Sequence, residues 1–123
     1  MKYIYLIQSL ENGYYKIGIS KHPTKRVEQL QTGNASPLKL VDIYHTEYAE
    51  QIEHALQRIH AHLHKKGKWF DMDISNEINF QKECKKIEET IVFLKKNDNV
   101  FRMYAKSILE INYNFFRIIL RVL

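Results

Sequence analysis

The sequence predicts a small α+β domain: a three-stranded, mainly antiparallel sheet flanked by helices, followed by a C-terminal apolar helical extension. Three observations carry this. Two short alternating runs, Tyr3 to Ile7 and Tyr15 to Ser20, flank Asn12-Gly13, the strongest short-range signal of a β-hairpin. A third alternating run covers Leu38 to Tyr44. Apolar residues then recur at helical spacing in two long stretches, Glu47 to His64 and Glu77 to Lys95.

Taking Asn12 and Gly13 as the centre of a type I′ turn sets Glu11 opposite Tyr14, Ser9 opposite Lys16, Ile7 opposite Gly18 and Tyr5 opposite Ser20. The strand period of two then sorts the hairpin into faces. Ile4, Leu6, Tyr15, Ile17 and Ile19 share a core face. Tyr3, Tyr5, Lys16, Gly18 and Ser20 share the other, which collects phenols, an amine, a hydroxyl and a glycine that opens space. That second face reads as the floor of a site.

A short helix follows over residues 21–31. Pro23 suits its first turn, Ser20 is a cap just upstream, and Gly33-Asn34 ends it with a left-handed glycine. Pro37 precedes the third strand, where a missing N–H costs little. The long helix carries Ala49, Ile52, Ala55, Leu56, Ile59 and Leu63 on one stripe and breaks at Lys65-Lys66-Gly67-Lys68. Trp69-Phe70 reads as an aromatic anchor returning to the core, and Asp71 to Asn76 as a loop. The last helix places Ile78, Phe80, Cys84, Ile87, Ile91 and Leu94 together. Asn97-Asp98-Asn99 is a turn, so the domain is expected over residues 1–96, with an extension of different composition over 97–123.

The 123 residues are enough for one domain with a modest core. One cysteine excludes an intrachain disulfide, and Met1-Lys2 leads straight into the strand pattern, so a reducing, cytoplasmic setting is expected. Arg102, Lys106, Glu110, Arg117 and Arg121 interrupt the apolar tail, which excludes a membrane span there. A formal charge of +5 favours an acidic partner such as nucleic acid.

The order hairpin, helix, strand, long helix and Gly67-Lys68-Trp69-Phe70 adds a constellation to this frame. In it the chain resembles the GIY-YIG endonuclease superfamily, and specifically its phage-type branch with KIG in place of YIG. Tyr3-Ile4-Tyr5 stands where the family has GIY and Lys16-Ile17-Gly18 where it has YIG. Arg26, within Lys25 to Asn34, and Glu53 on the long helix continue the match, which covers residues 1 to 75. Tyr3 replaces the first glycine, Lys16 the tyrosine, and Leu30 and Gln57 stand where relatives often carry histidine. The resemblance implies a metal-dependent DNA endonuclease that leaves a 5′-phosphate and a 3′-hydroxyl.

The chemistry of the same residues runs parallel. Phosphodiester hydrolysis needs a water nucleophile, a cation to polarise the phosphoryl group and stabilisation of the departing oxygen. Glu53 is a hard oxygen ligand suited to Mg²⁺ or Mn²⁺, and Mg²⁺ needs few protein ligands. Arg26 can fork onto phosphate oxygens. Tyr5 can take a proton from the attacking water, with the cationic Lys16 beside it on the same face. Structural roles are the alternatives: a sheet tyrosine, an exposed lysine, a surface arginine, a boundary glutamate.

Lys21, Lys25 and Arg26, with Lys65, Lys66 and Lys68, are candidates for a track that neutralises DNA phosphates. His60, seven residues after Glu53, joins them as a contact to phosphate or metal-bound water. His60 and His64 have zinc-compatible spacing, but no HExxH or CxxC pattern supports such a site. Two further functions compete with catalysis: a DNA-binding module on the same scaffold, favoured by Leu30 and Gln57, and self-association through the apolar tail.

Overall fold

The computed structural model describes residues 1–96 together with Ile118 and Arg121. It has the α+β architecture expected, with five strands among the described residues rather than three. In chain order these are β1 (Lys2–Ser9), β2 (Tyr15–Ser20), α1 (Pro23–Thr32), β3 (Leu38–Thr46), α2 (Ala49–Ile59), a 3₁₀ turn (Ala61–Leu63), β4 (His64–Lys66), β5 (Trp69–Phe70), α3 (Ile74–Ile78) and α4 (Phe80–Lys96). The sheet order is β3-β1-β2-β5-β4, and every pairing is antiparallel.

The hairpin forms in a different register. Tyr5 pairs with Gly18 and Ile7 with Lys16. The loop runs over residues 10–13 and is closed by the Ser9 N–H donating to the Tyr14 carbonyl at 2.9 Å. Only Gly13 has positive φ there, at 76°. Asn12 instead accepts the Tyr14 N–H on its side-chain oxygen at 2.9 Å, which is the competing local bond that asparagine offers a turn. The pairing moves by two residues, so each side chain keeps the face the period assigned it.

Ile4, Leu6, Tyr15 and Ile17 enter a core with Ala49, Ile52, Ala55 and Leu56 of α2 and Phe80, Cys84, Ile87, Ile91 and Leu94 of α4. Burying side chains of this kind contributes roughly 1.5–3 kcal/mol each. Tyr5 and Ile7 are buried on the opposite face, where α1 packs across β1, β2 and β3. A bulge at Val41 sets Leu6 opposite Asp42 but Ile7 opposite Leu40, so β3 is kinked where it runs past α1.

Several boundaries differ from the sequence expectation. α1 begins at Pro23; its N-cap is His22, whose N–H donates to Ser20 Oγ at 3.0 Å. Gly33 closes α1 at φ −90°, not in the left-handed region. α2 stops at Ile59 because the His60 ring turns inward to Glu83 of α4, its Nε2 2.7 Å from Oε1. The apolar spacing runs on to Leu63 through the 3₁₀ turn, which is why the helix looked longer. The lysine-rich break is a small hairpin: Gly67, at φ +57°, joins β4 to β5, and β5 pairs with β2 through Tyr15–Phe70 and Lys16–Trp69. Part of the expected loop is α3, started by a reciprocal cap in which Asp73 accepts the Ser75 and Asn76 N–H groups and Asn76 accepts that of Asp73. Ile118 packs against the core; the expected turn at 97–99 and the remainder of the 97–123 extension lie outside the described residues.

Candidate nucleic-acid interface

Tyr5 and Gly18 build the floor. A Cβ placed on Gly18 would lie 2.2 Å from Tyr5 Oη and 2.3 Å from Cζ. The tyrosine ring therefore lies across the glycine, using the space a side chain would fill. Tyr5 is 3% exposed, and its hydroxyl has no protein hydrogen-bond partner among the described residues. Two residues back along β2, on the same face, stands Lys16.

Lys16 is crowded by like charge. Burial, then Arg26 of α1, then Lys68 push its ammonium below the usual lysine range. Its Nζ lies 5.7 Å from the centre of the Trp69 ring. Trp69 is thus half-buried on the site face, while its neighbour Phe70 enters the core. The alternation of a two-residue strand separates them, so only one of the two is the anchor the sequence suggested.

Glu53 arrives from the other side of the sheet. The Lys68 carbonyl accepts the Ile17 N–H at 3.4 Å, which sets Lys68 against β2 just before β5 begins. From there its Nζ donates to Glu53 Oε2 at 3.1 Å. Glu53 is 5% exposed. A buried carboxylate needs a cation or several donors, and Lys68 is its one ion-pair partner among the described residues. Beyond Lys16, no strand among the described residues pairs with this edge of β2. The open edge is where α1, α2 and the Gly67 turn bring Arg26, Glu53 and Lys68 together.

One turn after Glu53, Gln57 Nε2 is buried with no hydrogen-bond partner among the described residues. Arg26 is exposed, and among the described residues its side chain makes one long 3.5 Å contact, with Gln29, which leaves its guanidinium available to an anion.

The remaining predicted contacts separate by position. Lys21 and Lys25 are exposed and line a cleft at the start of α1. Lys65 and Lys66 are exposed at the far end, beside Tyr14, Asn34 and Trp69. Lys16, with Arg26 and Lys68 near it and Trp69 beside it, lies between these two groups. His60 does not join them. It is 5% exposed and engaged with Glu83, because α2 has ended and the seven-residue spacing from Glu53 no longer keeps one face. His64 lies elsewhere, its Nε2 2.8 Å from the Gly67 carbonyl, and among the described residues no group of three or more His, Cys, Asp or Glu is placed to hold a metal.

Residues 2–111 match the family model of the T5orf172 domain. The chain belongs to the T5orf172 domain family. No curated protein and no solved structure matches it. The matched span of the T5orf172 domain contains all seven of these charged side chains and Tyr5. Among the described residues no helix is long and apolar enough to cross a membrane.

Proposed function

We propose that this T5orf172 domain is a metal-dependent DNA endonuclease of the GIY-YIG kind. The observation that carries the reading is the meeting of a buried carboxylate, Glu53, with three cations, Lys16, Arg26 and Lys68, beside a phenol laid over Gly18. A core would not gather three positive charges at a sheet edge at the expense of their mutual repulsion; a phosphate group would relieve it.

One buried carboxylate beside an open edge leaves a hard divalent ion room for its waters and a phosphate, and the unpaired Gln57 N–H group one turn away can donate to a water or phosphate oxygen but is not a metal ligand. Glu53 would hold Mg²⁺ or Mn²⁺, which when bound polarises the phosphoryl group and favours deprotonation of water. Arg26 binds the equatorial phosphate oxygens and stabilises their charge as it grows. Lys16 holds a second phosphate oxygen, and its desolvated ammonium makes that contact stronger than an exposed lysine would. Tyr5 would accept the proton of the attacking water as its phenolate, after the phenolic proton has left to solvent, and its ring is fixed by Gly18. The lysines at either end track the strand and position it.

Lys68 favours a second reading, a DNA-binding module without catalysis. Its ammonium neutralises Glu53 directly, so it competes with a metal for the same oxygen. A plasmid-nicking assay with Mg²⁺ decides between the two. Wild type should nick, and Glu53→Gln should lose at least about a hundredfold in rate, the scale of removing one transition-state stabiliser, while still binding DNA. Equal nicking by both proteins would sink the catalytic role; salt-sensitive binding with no nicking under Mg²⁺ or Mn²⁺ would select the binding module.

A further inference from the structure

The floor residues do not account for the cleft at the start of α1. Its volume is about 430 Å³ and its walls include Tyr3, Ile43, Lys21, His22 and Lys25, with no acidic side chain. Tyr3 is half-buried and stacks on His45 across the strand pair, with ring centres 4.3 Å apart and planes 14° from parallel. Ile43 is 37% exposed, an apolar side chain left open beside an aromatic one. The cleft thus joins a flat apolar surface to a cationic rim.

Its position ties it to the candidate site. Tyr3 precedes Tyr5 by two residues on the same face, and Ile43 pairs with Tyr5. Arg26 lies one helical turn beyond His22, its N–H donating to the His22 carbonyl at 3.0 Å. A phosphate on Arg26 would therefore have its neighbouring nucleotide at this cleft.

We propose that the cleft binds the base of an unpaired nucleotide next to the phosphate held by Arg26. The proposal rests on the DNA reading above and specifies the substrate: a strand with unpaired bases, at a gap, flap or bulge. A planar, weakly polar ring with an attached anion is the ligand that needs both a stacking surface and lysines. Stacking of this kind accepts any base, because every base has a π face. A fully paired base in a duplex does not offer that face, so an intact duplex gains only the lysine contacts. The volume is in the range of small-ligand sites, roughly 300–1,000 Å³.

The test is fluorescence anisotropy with the full chain, comparing an intact duplex with the same duplex carrying a short single-stranded gap. The readout is the ratio of the two affinities at fixed salt. Wild type should favour the gapped duplex, and Tyr3→Leu should reduce that ratio about tenfold, the scale of one base–aromatic stack. Tyr3→Phe, which keeps the ring, should preserve it. Ile43→Glu, at a position 37% exposed, should also reduce it. A mononucleotide competitor should displace little, since the lysines act on a strand. An unchanged ratio in both Tyr3→Leu and Ile43→Glu would overturn the proposal while leaving the endonuclease reading intact. A wild type that binds neither DNA would instead remove the reading on which it rests.

Discussion

Gly18→Ala should damage this protein through Tyr5 alone. The added methyl would lie 2.2 Å from Oη, 2.3 Å from Cζ and 2.8 Å from Cε1. Ordinary contact needs about 3.4 Å or more, so the ring has to move by roughly 1 Å in a site where Tyr5 is 3% exposed. Overpacking of this kind costs roughly 1–3 kcal/mol. A loss of about 2 kcal/mol corresponds to a fall in Tm of about 8–10 °C for a domain near 100 residues. The decisive assay is a double-mutant cycle by thermal or urea unfolding. Tyr5→Leu removes Oη, Cζ and Cε1 while keeping the carbons nearest the backbone. In that background Gly18→Ala should cost less than about 0.5 kcal/mol, a coupling of the size expected for side chains in contact. Nicking and DNA binding should fall in Gly18→Ala even at temperatures where it is folded, because the phenol is displaced. If Gly18→Ala costs the same with and without the Tyr5 ring, the glycine is not there for the tyrosine and the account of the floor fails.

Other measurements probe the ion pair and the core. Lys68→Met strands the buried Glu53 carboxylate; because Lys68 is itself half exposed, the cost should be about 1–2 kcal/mol, discounted from the value for a fully buried pair. In that variant Mg²⁺ at a hundred times its Kd should return about 2.7 kcal/mol, and a Tm indifferent to Mg²⁺ would count against Glu53 as a metal ligand. Tyr15 Oη donates to Glu77 Oε2 at 2.6 Å, and Tyr15→Phe should cost about 1.5–3 kcal/mol by urea unfolding, as for hydrogen bonds to charged groups. Burial first and then Glu77 push the Tyr15 phenol up from 10.0 to about 12. The folded state thus holds this proton more tightly, so the contribution is intact below pH 10 and is lost as pH rises through about 12. Between those limits wild type should lose more stability than Tyr15→Phe, and parallel pH profiles would refute the assignment.

Much of this molecule was legible because period and punctuation are local properties. The face of every hairpin residue followed from alternation, and survived the error in register because that error was an even number of residues. The register itself was missed: Asn12 had a better local bond to the Tyr14 N–H than a left-handed conformation would have given it. β4 and β5 were invisible because three exposed residues and two aromatics have no period to read. Composition makes Lys68 a phosphate contact, whereas its ammonium is turned onto Glu53. His60 was misplaced for the opposite reason, since spacing predicts a shared face only while the helix continues.

By itself, then, the sequence determined the α+β class, the two faces of the hairpin and the residue types that a phosphate-handling site would need, because each depends on neighbours within a few positions. Which of them meet was decided only in three dimensions. Glu53 on α2 and Lys68 in the turn before β5 are fifteen residues apart, and they join because β5 pairs with β2 at Tyr15 and Lys16, which brings that turn against β2. Tyr3 and His45 are brought to stacking distance by the β1–β3 pairing. Sheet topology makes these contacts between distant parts of the chain, and no local pattern encodes them.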